Sequence, residues 1–377
     1  MFIIDSGRQF EIYFLRMKAI IAAGGHATRF RPITWSMNKH LLPLAGKPML
    51  FYPIENVVNA GVKEIAININ PGEEEVQKVV GDGSRWGAHI TYLEQEGGPR
   101  GIAHAVYNAH QFLGENEPFI FHLGDNIFRE GIKKIVDRFV HDRLNCALTL
   151  SRAPNLTELG VAQFDHEGKL IGVIEKPKNP PSDLGVTGVY VYDKSFFEAF
   201  KHLQPSGRGE YEISDIHTWL IQNGYRVGYD VVDGWWKDPG RPAQLLDGNI
   251  LAMNTLLPES YILEGEIDVA AQIHGLVKIE KGALIGPDVL IRGPVVVGKD
   301  SKIDKAFIGP FTTIGAECVI NGTEIENSII LDKSTIQNVG RIDSSLVGRN
   351  VTIVSRQSSL PCSGSRLFIG DNALVEL

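Results

Sequence analysis

In the last third of the chain, aliphatic residues return every six positions, at Ile267, Ile273, Ile279, Ile285, Ile291, Val297 and Ile303. The pattern slips by one and resumes at Ile308, Ile314 and Ile320, then passes by fives through Ile325 to Ile330 and continues at Ile336, Ile342, Val347 and Ile353. A step of six fits neither the 3.6-residue period of a helix nor the alternation of a strand. Small residues and glycines accompany the aliphatics, as in "LIGPD", "VVGKD", "FIGPF" and "TIGAE". One coil cannot bury its inward aliphatic alone, so coils must stack, and the pattern predicts a β-solenoid. A β-sandwich with accidental spacing is the alternative, and the unbroken first run argues against it.

Before Pro258 the rhythm is different. Short β-rich runs ("KAIIAA", "EIAINI", "ITYLE", "PFIFHLGDN", "CALTLS", "VTGVYVYD") alternate with amphipathic stretches such as "PMLFYPIENVVNAG" and "GIKKIVDRFVHDRL". Strands alternating with helical patterns predict a mainly parallel α/β sheet covered on both faces, with ligands at the carboxyl ends of the strands. The expected divisions are an extension over 1–16, ahead of the second methionine Met17, a catalytic domain over 17–254, and the solenoid with a tail over 255–377.

Charge narrows the function. The net charge is -8, with Lys and Arg interspersed, so there is no basic footprint for nucleic acid. No apolar run reaches membrane-spanning length. A cytoplasmic protein without membrane or nucleic-acid partners is expected. Cys146, Cys318 and Cys362 are odd in number and far apart, which argues against disulfides or a zinc knuckle.

The motifs fall where the α/β sheet should bind ligands. "AAGGHATRF" follows the first predicted strand, and its glycines allow backbone N–H groups to approach an anion while Arg29 supplies a planar fork for phosphate oxygens. It is neither a Walker loop nor a dinucleotide fingerprint. Lys39, in "NKHLLPL", is placed to reach a second phosphate. Asp125 ends the apolar strand of "FIFHLGDN", and Asp238 lies in the tight turn of "GWWKDPGRP"; one or two carboxylates plus substrate phosphates are the usual means of holding Mg²⁺. Singly, each aspartate is more often a turn or capping residue. "VIEKPKNPP" contributes Glu175 and Lys176, "VTGVYVYD" Thr187 and Gly188, and "GEYEISD" Glu210 and Asp215.

The order GG-x-x-TR, K-x-LLP-x-x-x-KPM, LGDN, EKP, TG-x-Y, GE-x-EI-x-D and W-x-DPG resembles the sugar-1-phosphate nucleotidyltransferases, most of all their long glucose-1-phosphate thymidylyltransferase form, across nearly all of 18–377. The resemblance implies a Rossmann-like nucleotidyltransferase domain followed by a left-handed parallel β-helix. It implies nucleotidyl transfer from a nucleoside triphosphate, dTTP favoured, to a sugar-1-phosphate, glucose-1-phosphate favoured, with release of pyrophosphate. Carried over position by position, Gly24, Gly25 and Arg29 would cradle the triphosphate and Lys39 its α-phosphate. Gln95 and Gly101 would line the base pocket. Asp125 and Asp238 would hold Mg²⁺. Glu175 and Lys176 would hold the sugar and its phosphate, with Gly160 and Thr187 lining the sugar site.

Three departures mark this chain. His26 and Ala27 stand where the family usually has a lysine and a second loop glycine, and a Cβ there matters if the turn needs a positive φ. "QEGGPRGIAHA" is one residue longer than usual and carries Arg100, which leaves the base open between thymine and uracil. Leu159 replaces an aromatic, which leaves the sugar open between glucose and N-acetylglucosamine. An inactive sugar-nucleotide-binding protein is a further alternative, against which Arg29, Lys39, Asp125, Lys176 and Asp238 all stand. Acyl transfer on the solenoid rests on His274 alone. The solenoid is expected instead to offer a side surface for homo-oligomeric assembly.

Overall fold

The computed structural model describes residues 16–98, 100–355, 364–365 and 367–376. Residues 1–15 of the expected extension, and Cys362, lie outside the described residues. The chain divides into two compact units, Met1–Gly25 with Leu50–Lys237, and His26–Met49 with Asp238–Leu377.

The first unit is built on a nine-stranded sheet. Its strands are β1 (Lys18–Ala22), β2 (Glu64–Ile69), β3 (His89–Glu94), β4 (Phe119–Leu123), β5 (Cys146–Arg152), β6 (Gly160–Phe164), β7 (Leu170–Glu175), β8 (Leu184–Tyr192) and β9 (Val227–Val231). They run in the order β7-β6-β8-β4-β1-β2-β3, with β5 joining β8 and β9 joining β5. The block β4-β1-β2-β3 is parallel, as the alternating pattern predicts. The antiparallel part gathers around β8, which pairs with β4, β5 and β6. Helices α1 (Phe51–Asn59), α2 (Glu74–Val80), α3 (Ile102–Asn108), α4 (Lys133–His141) and α5 (Ile213–Gln222) belong to this unit. Its core is rich in rings: Phe119, Phe121, Tyr192 and Phe196 are all essentially inaccessible. Two histidines, His122 and His217, are buried with them. Cys146 is a free, buried packing residue, as expected of a cysteine outside any disulfide framework.

The second unit contains three parallel sheets of seven, six and six strands, consistent with the left-handed β-helix that the resemblance implies. The six-residue period becomes three ladders. Ile267, Ile285, Ile303, Ile320, Ile336 and Ile353 pair in register on one face. Ile273, Ile291, Ile308, Ile325 and Ile342 do so on the second. Ile279, Val297, Ile314, Ile330 and Val347 form the third. From Ile279 onward these residues are at most 3% exposed, so the period in the sequence is the period of the core. The corners carry non-glycine residues in the left-handed region, including Asp300 and Asn350, types that visit it through local hydrogen bonds, and Phe311 and Lys333, where it costs about 1–2 kcal/mol each.

Segment 26–49 is seated on this β-helix. Asn249, in α6 (Pro242–Thr255), is buried, accepts from the Ala45 amide at 2.8 Å and from Thr313 Oγ1 at 3.1 Å, and donates to Phe311 O at 2.9 Å. A Cβ on Gly46 would come within 2.6 Å of Val296 Cγ1. At the last coil, Ser36 Oγ donates to Asp371 Oδ2 at 2.6 Å, and Arg349 Nη2 donates to Ser36 O at 2.9 Å.

Candidate active site

The residues expected to act are distributed over both units. In the first unit, the glycine loop leaves β1 and is clamped by Asn70. The Gly25 amide donates to Asn70 Oδ1 at 2.8 Å, and Asn70 Nδ2 donates to Gly25 O at 3.1 Å and to Glu73 Oε2 at 3.0 Å. Gly25 has a φ of 102°, a conformation that favours glycine. A Cβ at Gly24 would lie 3.4 Å from the side-chain oxygens of Asn68, Asn70 and Gln95 alike. Gln95 is therefore brought to the loop, and its Nε2 donates to Gly98 O at 3.1 Å. Gly101 precedes α3 with a φ of 96°, and a Cβ there would strike Tyr211 O at 2.6 Å. Beside it, His104 stacks on Tyr211 with its buried Nδ1 unpartnered among the described residues, and burial and the Arg100 charge hold its pKa down.

The end of β7 gathers the second group. Glu175 Oε2 accepts from Ser214 Oγ at 2.7 Å, while its Oε1 lies 3.5 Å from Lys176 Nζ and 3.4 Å from Arg208 Nη2. Gly160 backs onto this group, since a Cβ there would lie 2.6 Å from Ser214 Oγ and 3.4 Å from Glu175 Oε2. Lys176 adopts a φ of 43°, a strained backbone of the sort that accumulates at functional sites. Its amide donates to Leu159 O at 2.9 Å. Arg208, bonded to Glu212 at 2.8 Å, was not expected from the sequence; nothing local in "SGRGEYE" shows that the fold returns it to Glu175. Thr187 is not part of this group by any contact of its hydroxyl, which is buried against the Thr149 hydroxyl and donates to Thr149 O at 3.0 Å.

Asp125 follows β4 and accepts from Asn126 Nδ2 at 3.0 Å. In the second unit, Arg29 is exposed and its guanidinium lies over the turn that follows Asp238: a Cβ on Gly240 would be 3.2 Å from Arg29 Nη1. Lys39 is buried to 8% exposure, with Nζ 5.3 Å from the centroid of the Phe30 ring. Ala27 stands at φ 41°, ψ 44°, in the left-handed region, so the loop does need a positive φ at the position where this chain carries a Cβ.

Among the described residues no group of three or more His, Cys, Asp and Glu side chains is gathered as a metal centre, and no helix is long and apolar enough to cross a membrane. His274 is exposed on its strand, with no second catalytic group assigned to it.

Comparison with known proteins agrees with the motif order. Residues 18–254 match the family model described as nucleotidyl transferase, and residues 291–360 match the GMPPB C-terminal domain. The chain is 39% identical over 362 residues to a glucose-1-phosphate thymidylyltransferase of Streptomyces antibioticus, covering 96% of this chain and 99% of that one. It is 37% identical to the low-salt glycan biosynthesis nucleotidyltransferase of Haloferax volcanii, over 96% of this chain and 100% of the other. A crystal structure described as a putative glucose-1-phosphate thymidylyltransferase from Bacillus anthracis superposes with a TM-score of 0.59 at 36% identity, over 63% of this chain and 95% of its own. With the loop, strand ends and β-helix in place, the chain belongs to the nucleotidyl transferase family.

Proposed function

We propose that the enzyme transfers a thymidylyl group from dTTP to glucose-1-phosphate, forming dTDP-glucose. The observation that carries this reading is the likeness to the Streptomyces thymidylyltransferase over the length of both chains, β-helix included. A phosphate oxygen of the sugar-1-phosphate attacks the α-phosphorus, the bond between that phosphorus and the α–β bridging oxygen breaks, and pyrophosphate leaves with the electron pair. The attacking oxygen is already ionised, so no side-chain nucleophile or base is needed. The protein's task is to align two polyanions and offset their charge.

Gly24, Gly25, Gln95 and Gly101 would receive the nucleotide. Because the Gly25 amide is bonded to Asn70, the loop's shape rather than that N–H serves the phosphates. Arg29 and Lys39 would meet the triphosphate. Gly160, Glu175 and Lys176 would hold the sugar phosphate, with Arg208 as a second cation and Thr187 buttressing the strand beside them. Asp125 and Asp238 offer hard carboxylate oxygens, a donor type that fits Mg²⁺ shared with substrate phosphates. When bound, Mg²⁺ would neutralise charge on the reacting phosphates. The β-helix would serve homo-oligomeric assembly, and the enzyme would work in the cytoplasm.

The test is pyrophosphate release from dTTP, UTP, ATP and GTP against glucose-, N-acetylglucosamine- and galactose-1-phosphate. dTTP with glucose-1-phosphate should lead. UTP should follow within roughly ten- to two-hundredfold, because one methyl contact discriminates by only about 1–3 kcal/mol. A purine preference would overturn the base assignment, and silence across the panel would overturn the reading.

A further inference from the structure

Asn126 follows Asp125 and is fully buried. Its Oδ1 accepts two N–H groups, the Gly188 amide at 3.1 Å and the Trp236 indole Nε1 at 2.6 Å. Its Nδ2 donates to Asp125 Oδ1 at 3.0 Å. An amide side chain has one accepting end and one donating end. Two N–H donors aimed at one end determine which end is oxygen, so the NH₂ is obliged to face the carboxylate. A Cβ on Gly188 would lie 2.6 Å from Asn126 Cγ, so only glycine lets the amide reach that N–H. Trp236 is delivered by a short antiparallel ribbon, in which Trp236 pairs with Phe128 and Lys237 with Ile127. The LGDN, TG-x-Y and W-x-DPG motifs thus meet at one side-chain amide.

We propose that Asn126, keyed by Gly188 and Trp236, is a positioning residue that holds the Asp125 carboxylate in one orientation for a divalent cation. The inference rests on Asp125 being a metal ligand. Groups that orient a ligating carboxylate typically change metal affinity ten- to a hundredfold when removed. Asn126 acts by holding one carboxylate oxygen, which turns the other toward the cation without touching substrate itself.

Mn²⁺ is the probe, since carboxylate sites that suit Mg²⁺ also suit it, and the loss of its free paramagnetic resonance signal counts bound ions without turnover. On the full chain, Asn126→Ala should weaken Mn²⁺ binding by about ten- to a hundredfold. Trp236→Phe, which leaves the amide keyed by Gly188 alone, should weaken it by less. Asp125→Asn should remove the site. If Asp125→Asn lowers Mn²⁺ affinity while Asn126→Ala and Trp236→Phe keep the wild-type value, the positioning role is overturned and the metal reading stands. If Asp125→Asn itself binds as wild type does, the metal reading fails and the proposal with it. Thermal melts accompany each variant; should Asn126→Ala fail to fold, Trp236→Phe decides alone, a lowered affinity supporting the role and an unchanged one overturning it.

Discussion

The cores of the α/β sheet and the β-helix are made in opposite ways. The β-helix stacks one kind of side chain on itself, Ile on Ile or Val in register, with small buried hydroxyls such as Ser301, Ser328, Ser334 and Ser345 beside the ladders. The sheet is packed by individual ring contacts, such as Phe119 edge-on to Phe196 at 5.7 Å and Tyr190 tilted on His217 at 4.9 Å. The first core is a repetition; the second is a set of unique fits that includes two buried histidines. The chemistry follows the same division. None of the expected catalytic or binding residues lies in a repeat coil. In the second unit they come from segment 26–49 and the DPG turn, which the β-helix supports through Asn249 and Asp371. Repetition supplies a frame, and every residue proposed to act lies in the non-repeating chain.

Damage to the frame should have the largest effect. Ile320, 1% exposed, lies in the middle of a ladder between Ile303 and Ile336. Ile320→Ala should cost about 2–5 kcal/mol, because the coils above and below restrict collapse onto the cavity. The turnover number of the protein that remains folded should stay at the wild-type value. A variant that melts normally but turns over slowly would show that the coils take part in the reaction.

The next test separates the two sets of cations. Lys39→Ala should raise the KM for the triphosphate, and Lys176→Ala the KM for the sugar-1-phosphate, each by one to two decades, corresponding to about 1.5–3 kcal/mol for a charge-assisted bond. Lys176→Ala keeps a Cβ at φ 43°, so it removes the amine without relieving the backbone. Steady-state kinetics with each substrate varied in turn would measure this, and two mild, indistinguishable variants would dissolve the division of roles.

The smallest effect distinguishes the cores by acid. Burial lowers the pKa of His122 to about 4 and of His217 to about 3. A histidine whose folded pKa lies below its unfolded value near 6.5 stabilises the fold fully above pH 6.5, and that contribution is lost as pH falls toward the folded value. Each should therefore cost at most about 1.4 kcal/mol per pH unit below 6.5. Calorimetry between pH 7.5 and 5 should show the sheet losing stability first, and His217→Leu should flatten its slope. An unchanged slope would mean that the imidazole is not what the acid attacks.

How much could be read beforehand follows from the same contrast. The ladders were legible because a period needs only the local sequence, and the strand-end acids and glycine loop because their motifs are contiguous. The left-handed corners at Phe311 and Lys333 were not, since those residues carry no preference for that backbone; the stacking of coils imposes it. Arg208 at Glu175, Asn126 at Trp236 and Ser36 at Asp371 depend on returns of the chain across 33, 110 and 335 residues. The same is true of the attachment of segment 26–49 to the second unit. Ala27 lies between these cases: the sequence raised the question of a positive φ, and the backbone supplied the answer.

The proposed transfer requires that an oxygen of the sugar-1-phosphate attack the α-phosphorus of the triphosphate. Phosphorus NMR of the full-length enzyme with Mg²⁺, dTTP and glucose-1-phosphate labelled with ¹⁸O in its phosphate tests it most directly. Equal growth of pyrophosphate and of a sugar-nucleotide diphosphate is expected, with ¹⁸O in the bridge between its two phosphorus atoms and none in the pyrophosphate. Formation of dTDP and orthophosphate, or a bridge without ¹⁸O, would contradict it.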